Sequence, residues 1–268
     1  MNKNNIKELS IQVNLNGLSF CILNRTINTI EYLNKIAFSA KLNPFDVLNR
    51  LKTELSANSV FSDTFDAVTI IHQNELSTLV PKALYDESNK ADYLKFNTKI
   101  LKTDYITHDD VAVNKSINVY IPYININNYI FETFGEFTYK HSSTVLLDAV
   151  LQKAGESHNT EVYLHVNKTM IEITVVENKK LQLFNVFEYH SKEDFIYYVL
   201  FVFEQLNLDV ETTVLQISGT IDKNDKLYHL LYTYIRHVEF ERNNFNFKYS
   251  ENIVTSKLHH YHLILNTF

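Results

Sequence analysis

Apolar and polar residues alternate in two stretches of this chain with the same rhythm. Leu9, Ile11 and Val13, then Leu18, Phe20 and Ile22, keep a period of two on either side of Asn14-Leu15-Asn16-Gly17, residue types that tolerate a positive φ in a turn. The spacing predicts a β-hairpin. Residues 162–176 repeat the pattern: laying Val13-Asn14 over Val166-Asn167 sets an offset of 153 positions, and Met170 then falls opposite Gly17. A third strand is predicted over 29–38. Asn43-Pro44 opens a helix to about residue 55, with Pro in the first turn where its missing N–H is harmless. Residues 67–71, apolar on both faces, predict a buried parallel strand.

The second half follows the same order. Strands are predicted over 161–167, 169–177 and 180–189, the last two joined at Asn178-Lys179. Ser191 followed by Asp194 marks a helix start, and the body to residue 206 is apolar almost all round, so it should be covered on several sides with Tyr197, Tyr198, Phe201 and Phe203 in the core. A strand over 212–217, a turn at Ser218-Gly219, a helix over 225–235 with Tyr228, Tyr232 and Tyr234 mainly in the core, and a strand over 237–241 complete it. Between the halves the pattern is less regular. A helix over 86–96, two strands within 102–121 around Asn114-Lys115, a helix over 125–134 closed by Gly135, a strand over 137–141 and a helix over 143–153 ended by Gly155 are predicted. Residues 156–160 read as a linker, and 257–265 as an added edge strand.

Strand-strand-strand-helix-strand-helix-strand in each half is the ribonuclease H-like order that actin-like lobes share. The predicted architecture is therefore α/β, a duplicated pair of ribonuclease H-like lobes with mixed sheets flanked by helices. Residues 1–158 form one lobe with an irregular insertion around 79–155, and residues 159–268 form the other.

Composition narrows the function classes. With 268 residues of which 45% are hydrophobic, the chain can bury a substantial core. A net charge of −6 argues against a general nucleic-acid or anionic-membrane binder, both of which require a basic surface. The longest apolar run, residues 195–203, is far short of the roughly 20 residues that span a bilayer, so no membrane insertion is expected. Cys21 is the single cysteine and sits in a predicted strand, which leaves no disulfide framework; with no secretory signal at the N-terminus, a cytoplasmic location is expected. Only 4 glycines occur, few for a protein that would wrap phosphate in backbone N–H groups.

Particular phrases carry a family resemblance. Leu79-Val80-Pro81, then Tyr93-Leu94-Lys95-Phe96-Asn97, the stretch VYIPYININNYIFETFG over 119–135 and His141-Ser142-Ser143-Thr144-Val145-Leu146 resemble the bacterial family catalogued as domain of unknown function 3822. The resemblance spans nearly the whole chain and implies an actin-like fold, with no activity attached. In catalytic actin-like ATPases the hairpin turn of each lobe meets phosphate and supplies an Asp that organises magnesium or water. Here the matching positions are Asn14 with Asn16 and Gly17, and Asn167 with Lys168 and Thr169. An amide carries no charge with which to hold a hard cation or act as a base. The superfamily's adenosine-binding turn corresponds to Ser218-Gly219, with one glycine where consecutive glycines are usual.

The resulting expectation is a non-catalytic scaffold for an unidentified protein partner, with no cofactor and with self-association compatible with the sequence. The alternative is a nucleotide switch or divergent ATPase or kinase that holds ATP and Mg in an interlobe cleft lined by Asn14, Asn16, Gly17, Asn167, Ser218 and Gly219. His259, His260 and His262 are the other cluster that invites a ligand. On an edge strand His260 and His262 would share a face, with no acidic neighbour in sequence and a third ligand available only from elsewhere, such as His229 or His237; no metal site is assigned from sequence. Nuclease chemistry needs clustered carboxylates on the first and fourth strands, and residues 9–13 and 67–71 carry none.

Overall fold

The computed structural model describes residues 5–96, 98–154, 159–241 and 245–268. The first sheet is built on the predicted hairpin, β1 (Lys7–Asn14) and β2 (Gly17–Asn24), extended by β3 (Thr29–Ala37). Helix α1 (Pro44–Ala57) follows, its start fixed by Asn43, whose side chain accepts from the N–H groups of Phe45 and Asp46. β4 (Ala67–His72) then returns parallel to β1, Leu9 opposite Val68. The insertion contributes β5 (Ser77–Pro81), the short α2 (Lys90–Leu94), β6 (Thr107–Val111) and β7 (Ser116–Tyr120), a small separate sheet ordered β5-β7-β6. α3 (Ile124–Phe134), β8 (Thr138–His141) and α4 (Ser142–Ala154) complete the first half.

The second sheet contains β9 (Glu161–Val166), β10 (Met170–Glu177), β11 (Lys180–Glu188), β12 (Val214–Gly219) and β13 (His237–Phe240), with α5 (Lys192–Gln205) and α6 (Lys226–Tyr234) between them. Its order, β11-β10-β9-β12-β13, matches β3-β2-β1-β4-β8 strand for strand, and Val162 pairs with Leu215 as Leu9 pairs with Val68. The recurring alternation thus encodes one topology twice.

Both faces of each sheet are buried, which explains why the alternation is apolar on one face and small or polar on the other. Leu9, Ile11 and Val13 meet Val47 and Leu51 of α1 and Ile126 and Ile130 of α3. Val162, Leu164 and Val166 meet Phe195, Val199 and Leu231 of α5 and α6. The opposite faces look toward each other across α4 and the C-terminal helix α7 (His262–Leu265), and there Ser10, Gln12, Ser19, His165, Glu172, Thr174 and Ser218 are buried. Apolar outer layers hold each lobe; a polar inner layer joins them.

Several expectations need correction. The tail is helical: a 3₁₀ segment over Thr255–Tyr261 runs into α7, and Leu263, Ile264 and Leu265 are all buried. Three consecutive buried side chains cannot come from an edge strand with one solvated face. The edge of the first sheet is taken instead by β14 (Lys248–Tyr249), parallel to β3. Ser218 and Gly219 are the last residues of β12, paired with His165 and Val166, where a turn was expected. The helix expected over 86–96 is reduced to a 3₁₀ turn and the five residues of α2. Tyr197 is 60% exposed, Tyr232 61% and Tyr234 50%, and Phe201 is also exposed, because α5 and α6 form an outer layer with nothing beyond it. No residue of Asn14-Leu15-Asn16-Gly17 has a positive φ; Asn14 Oδ1 closes the turn by accepting the Asn16 N–H at 2.7 Å. Of the expected linker, residues 156–158 lie outside the described residues, as does Gly155.

The predicted start of α5 is present as a reciprocal box: Ser191 Oγ accepts the Asp194 N–H at 3.0 Å and Asp194 Oδ2 accepts the Ser191 N–H at 3.1 Å. Ser191→Ala should lower stability by about 1 kcal/mol. A urea midpoint unchanged from wild type would show that the cap contributes nothing.

Candidate functional site

The fold sets the two hairpin turns face to face. β1 and β9 occupy equivalent places in their sheets, so the residues at their C-terminal ends meet at the mouth between the lobes. Asn16 Nδ2 donates to Thr169 Oγ1 at 3.0 Å, joining positions that are equivalent at the 153-residue offset. Next to this bridge, Lys168 Nζ donates to the carbonyls of Phe38 (2.9 Å) and Ser39 (3.1 Å), and Lys35 Nζ to Thr220 Oγ1 at 2.6 Å. Lys41 pairs with Glu188 at 3.2 Å. Each of these ties crosses from the first sheet and its connections to the second.

Behind the turns lies an amide chain. Gln73, just after β4, accepts through Oε1 from Gln12 Nε2 and Asn14 Nδ2, both at 2.8 Å. Its own Nε2 reaches Glu172 Oε2 at 3.5 Å, while Ser143 Oγ donates to Glu172 Oε1 at 3.0 Å. Glu172 is fully buried on β10, and burial pushes its carboxyl up to about 7, partly offset by hydrogen bonds from Ser143, Gln73 and Ser142. Burial also holds the Lys35 ammonium down at about 8. The floor of the cleft is therefore amide and hydroxyl, with a carboxyl that is half protonated at neutral pH.

Of the six residues singled out from sequence, Asn14, Asn16, Gly17 and Asn167 line one cavity of about 230 Å³, together with Lys35 and Thr220. Ser218 and Gly219 do not reach it. Ser218 Oγ is hydrogen-bonded to His165 Nδ1 at 2.9 Å in the inner layer. Gly219 has φ +90° and packs directly on the Val166 backbone, whose carbonyl also accepts the Thr220 N–H at 2.6 Å. Gly17 likewise lies against the Ile36 carbonyl. Both glycines serve close backbone approach within a sheet. Asn16 Oδ1 and Asn167 Nδ2 are buried without a hydrogen bond among the described residues, on opposite sides of the bridge. The sequence reading missed Lys35, Gln73 and Glu172; the signal for Glu172 was a lone acidic residue in the otherwise apolar run 170–176.

The histidines of the tail separate. His259 and His260 converge on Asp222, a residue of the loop after β12, with His259 Nε2 3.6 Å and His260 Nε2 3.2 Å from Asp222 Oδ1. His262 turns inward, 3.4 Å from Glu241. An acidic neighbour does lie beside the cluster, supplied by the fold from 37 positions upstream of His259, and neither His229 nor His237 joins it. Cys21 is fully buried, and burial pushes its thiol up, so it behaves as a core residue. No helix among the described residues is long and apolar enough to cross a membrane.

The comparisons with known proteins agree with this architecture. A family model described as "Protein of unknown function (DUF3822)" matches residues 1–238, and the chain belongs to that family. A Bacteroides thetaiotaomicron protein with an actin-like ATPase fold and unknown function superimposes with a TM-score of 0.78 at 23% identity, covering 89% of this chain and 92% of that one. The PilM–PilN type IV pilus biogenesis complex gives 0.67 at 11% identity, covering 97% and 96%. At these identities the likeness shows the fold, which is that of the actin-like ATPases. No curated protein sequence matches the chain.

Proposed function

We propose that this protein is a non-catalytic member of the actin-like fold, a scaffold whose lobes are tied shut and which acts by holding a protein partner. The observation that carries this reading is the direct bridge from Asn16 to Thr169, placed where catalytic relatives open a phosphate site between their hairpins. Three further features support it. Asn14 and Asn167 supply no charge for magnesium, and Lys168, the cation nearest the second turn, is engaged by the carbonyls of Phe38 and Ser39. The cavity beside the bridge, about 230 Å³, falls below the roughly 300–1,000 Å³ of pockets that take small molecules and cofactors.

The partner surface fits best on the insertion, where Leu84, Phe96, Leu101, Tyr105 and Val113 are exposed within thirty residues. PilM, solved as a complex with PilN, is a precedent for this fold serving assembly.

A thermal-shift titration separates scaffold from nucleotide switch. A ligand at 100 times its dissociation constant adds about 2.7 kcal/mol to stability. The expected result is no change in Tm with ATP or ADP, with or without Mg²⁺, at millimolar concentration, and no release of phosphate. A saturable rise in Tm would replace this reading with the nucleotide switch. With the titration blank, affinity capture with the Phe96→Asp and Leu101→Asp variants as controls tests the surface: the partner retained by wild type should be lost from both.

A further inference from the structure

We infer that Asp222, His259 and His260 form a binding site for a divalent transition-metal ion of the zinc class, which fastens the C-terminal segment to the second lobe. This inference is independent of the scaffold reading. It begins with spacing. In a tetrahedral site with bonds of about 2.0–2.2 Å, ligand atoms lie roughly 3.3–3.5 Å apart. Asp222 Oδ1 is 3.2 Å from His260 Nε2 and 3.6 Å from His259 Nε2, and the three ligand atoms all fall within 4.8 Å of one another. The cluster is already dimensioned for a cation, with no side chain needing to travel.

The hydrogen bonding points the same way. His260 Nε2 is buried and makes no hydrogen bond among the described residues, although a carboxylate oxygen lies 3.2 Å away. The nitrogen and Oδ1 are near without being aligned donor to acceptor, the relation of two atoms that share a third. Asp222 is held for this role at both ends. Its N–H donates to Asp225 Oδ2 at 2.7 Å, and Lys257 Nζ occupies its Oδ2 at 2.7 Å, leaving Oδ1 to the imidazoles. The His259 ring packs on Phe240 with centroids 4.5 Å apart, and its Nε2 lies 2.9 Å from the Ile221 carbonyl. In the metal-free protein that nitrogen donates its proton to Ile221; metal binding releases the proton to solvent as the metal–nitrogen bond forms.

Two imidazoles and one carboxylate are a donor set of intermediate softness, suited to Zn²⁺, Co²⁺ or Ni²⁺ and poor for Mg²⁺ or Ca²⁺, which favour all-oxygen shells. Three protein ligands leave a coordination position open, and Asp222 and His259 line a cavity of about 410 Å³ through which an ion can enter. The placement gives the metal a mechanical effect. Asp222 belongs to the β12–α6 loop, whereas His259 and His260 lie on the 3₁₀ segment leading into α7, which packs between the sheets. An ion there closes a link between the second lobe and the helix at the lobe interface.

The test uses untagged protein stripped with chelator and titrated with Co²⁺ and Zn²⁺. One Co²⁺ per chain should bind with a visible ligand-field band, be displaced by Zn²⁺ and be indifferent to excess Mg²⁺. Asp222→Asn and His260→Ala should each weaken binding at least tenfold, since even changes to residues behind a metal's ligands cost 10–100-fold. His229→Ala and His237→Ala, exposed histidines elsewhere, should leave it unchanged. Circular dichroism of the metal-free variants separates lost ligands from lost folding, and Zn²⁺ should slow proteolytic cleavage near the C-terminus in wild type alone. Absence of stoichiometric binding at millimolar metal, or binding that folded Asp222→Asn and His260→Ala proteins both retain, overturns the site.

Discussion

Glu172→Gln should raise stability at pH 8 by about 3 kcal/mol and leave it nearly unchanged near pH 4. The buried carboxyl titrates at about 7 in the folded protein, against about 4.3 in an unfolded chain. Between those values the folded state retains a proton that the unfolded state has released. Stability therefore falls as pH rises through this window and levels off above it, by about 1.4 kcal/mol for each pH unit of separation. Glutamine is neutral throughout and can still accept from Ser143, so the variant lacks this loss.

The wild-type profile alone would mislead, because other buried groups titrate nearby. His72 and His141 are held down by burial, to about 4 and about 3, so they make stability rise with pH up to the ordinary histidine range. Lys35 acts only above about 8. The difference between wild type and variant cancels these contributions. Urea midpoints at pH 4.5 and 8 for both proteins supply it. A wild-type minus variant difference that is the same at both pH values would mean that Glu172 is ionised in the folded state and that the inner layer is not as dry as its burial indicates.

What was legible in the sequence was what repeats locally. The hairpins, the order of elements and the starts of α1 and α5 follow from alternation and from Asn43 and Ser191, features read within a few residues of one another. The inner layer was legible only in part. Ser10 and Gln12 look like the solvent face of a half-exposed strand, and they are buried because a second sheet and α7 lie over them, a fact no local pattern holds. The same reasoning fails in reverse for α5, where Tyr197 and Phe201 read as core and face outward. The tail shows the limit most clearly. His259 and His260 find Asp222 only because residues 255–261 coil across β12, and period-two spacing had placed His260 and His262 together instead. Candidate residues of the cleft were found where they sit in turns, and missed where, as with Lys35 and Glu172, they sit inside strands.

Gly219→Ala should cost roughly 3–5 kcal/mol, a magnitude reserved for a forced backbone or a disrupted core. Two costs combine. With φ at +90° any side chain meets backbone strain, and a Cβ would intrude on the Val166 carbonyl oxygen and lie 2.9 Å from the Val166 nitrogen, neither of which can rotate away. Gly135 supplies the internal comparison, since its φ of +79° carries similar strain but a Cβ there would meet nothing within 4 Å. Gly135→Ala should cost about 1–2 kcal/mol, the strain alone. The excess at Gly219 measures the close approach of β12 to β9. That approach positions function as well as fold: Val166 leads directly into the Asn167 turn, and Gly219 into Thr220, which receives Lys35, and then Asp222. A Gly219→Ala protein that survives should loosen the tie between the lobes, and a nucleotide-binding role for Gly219 predicts otherwise, a variant of near wild-type stability that has lost only a ligand. Equal costs at Gly135 and Gly219 in urea denaturation would favour that second account and remove the packing explanation for the glycine.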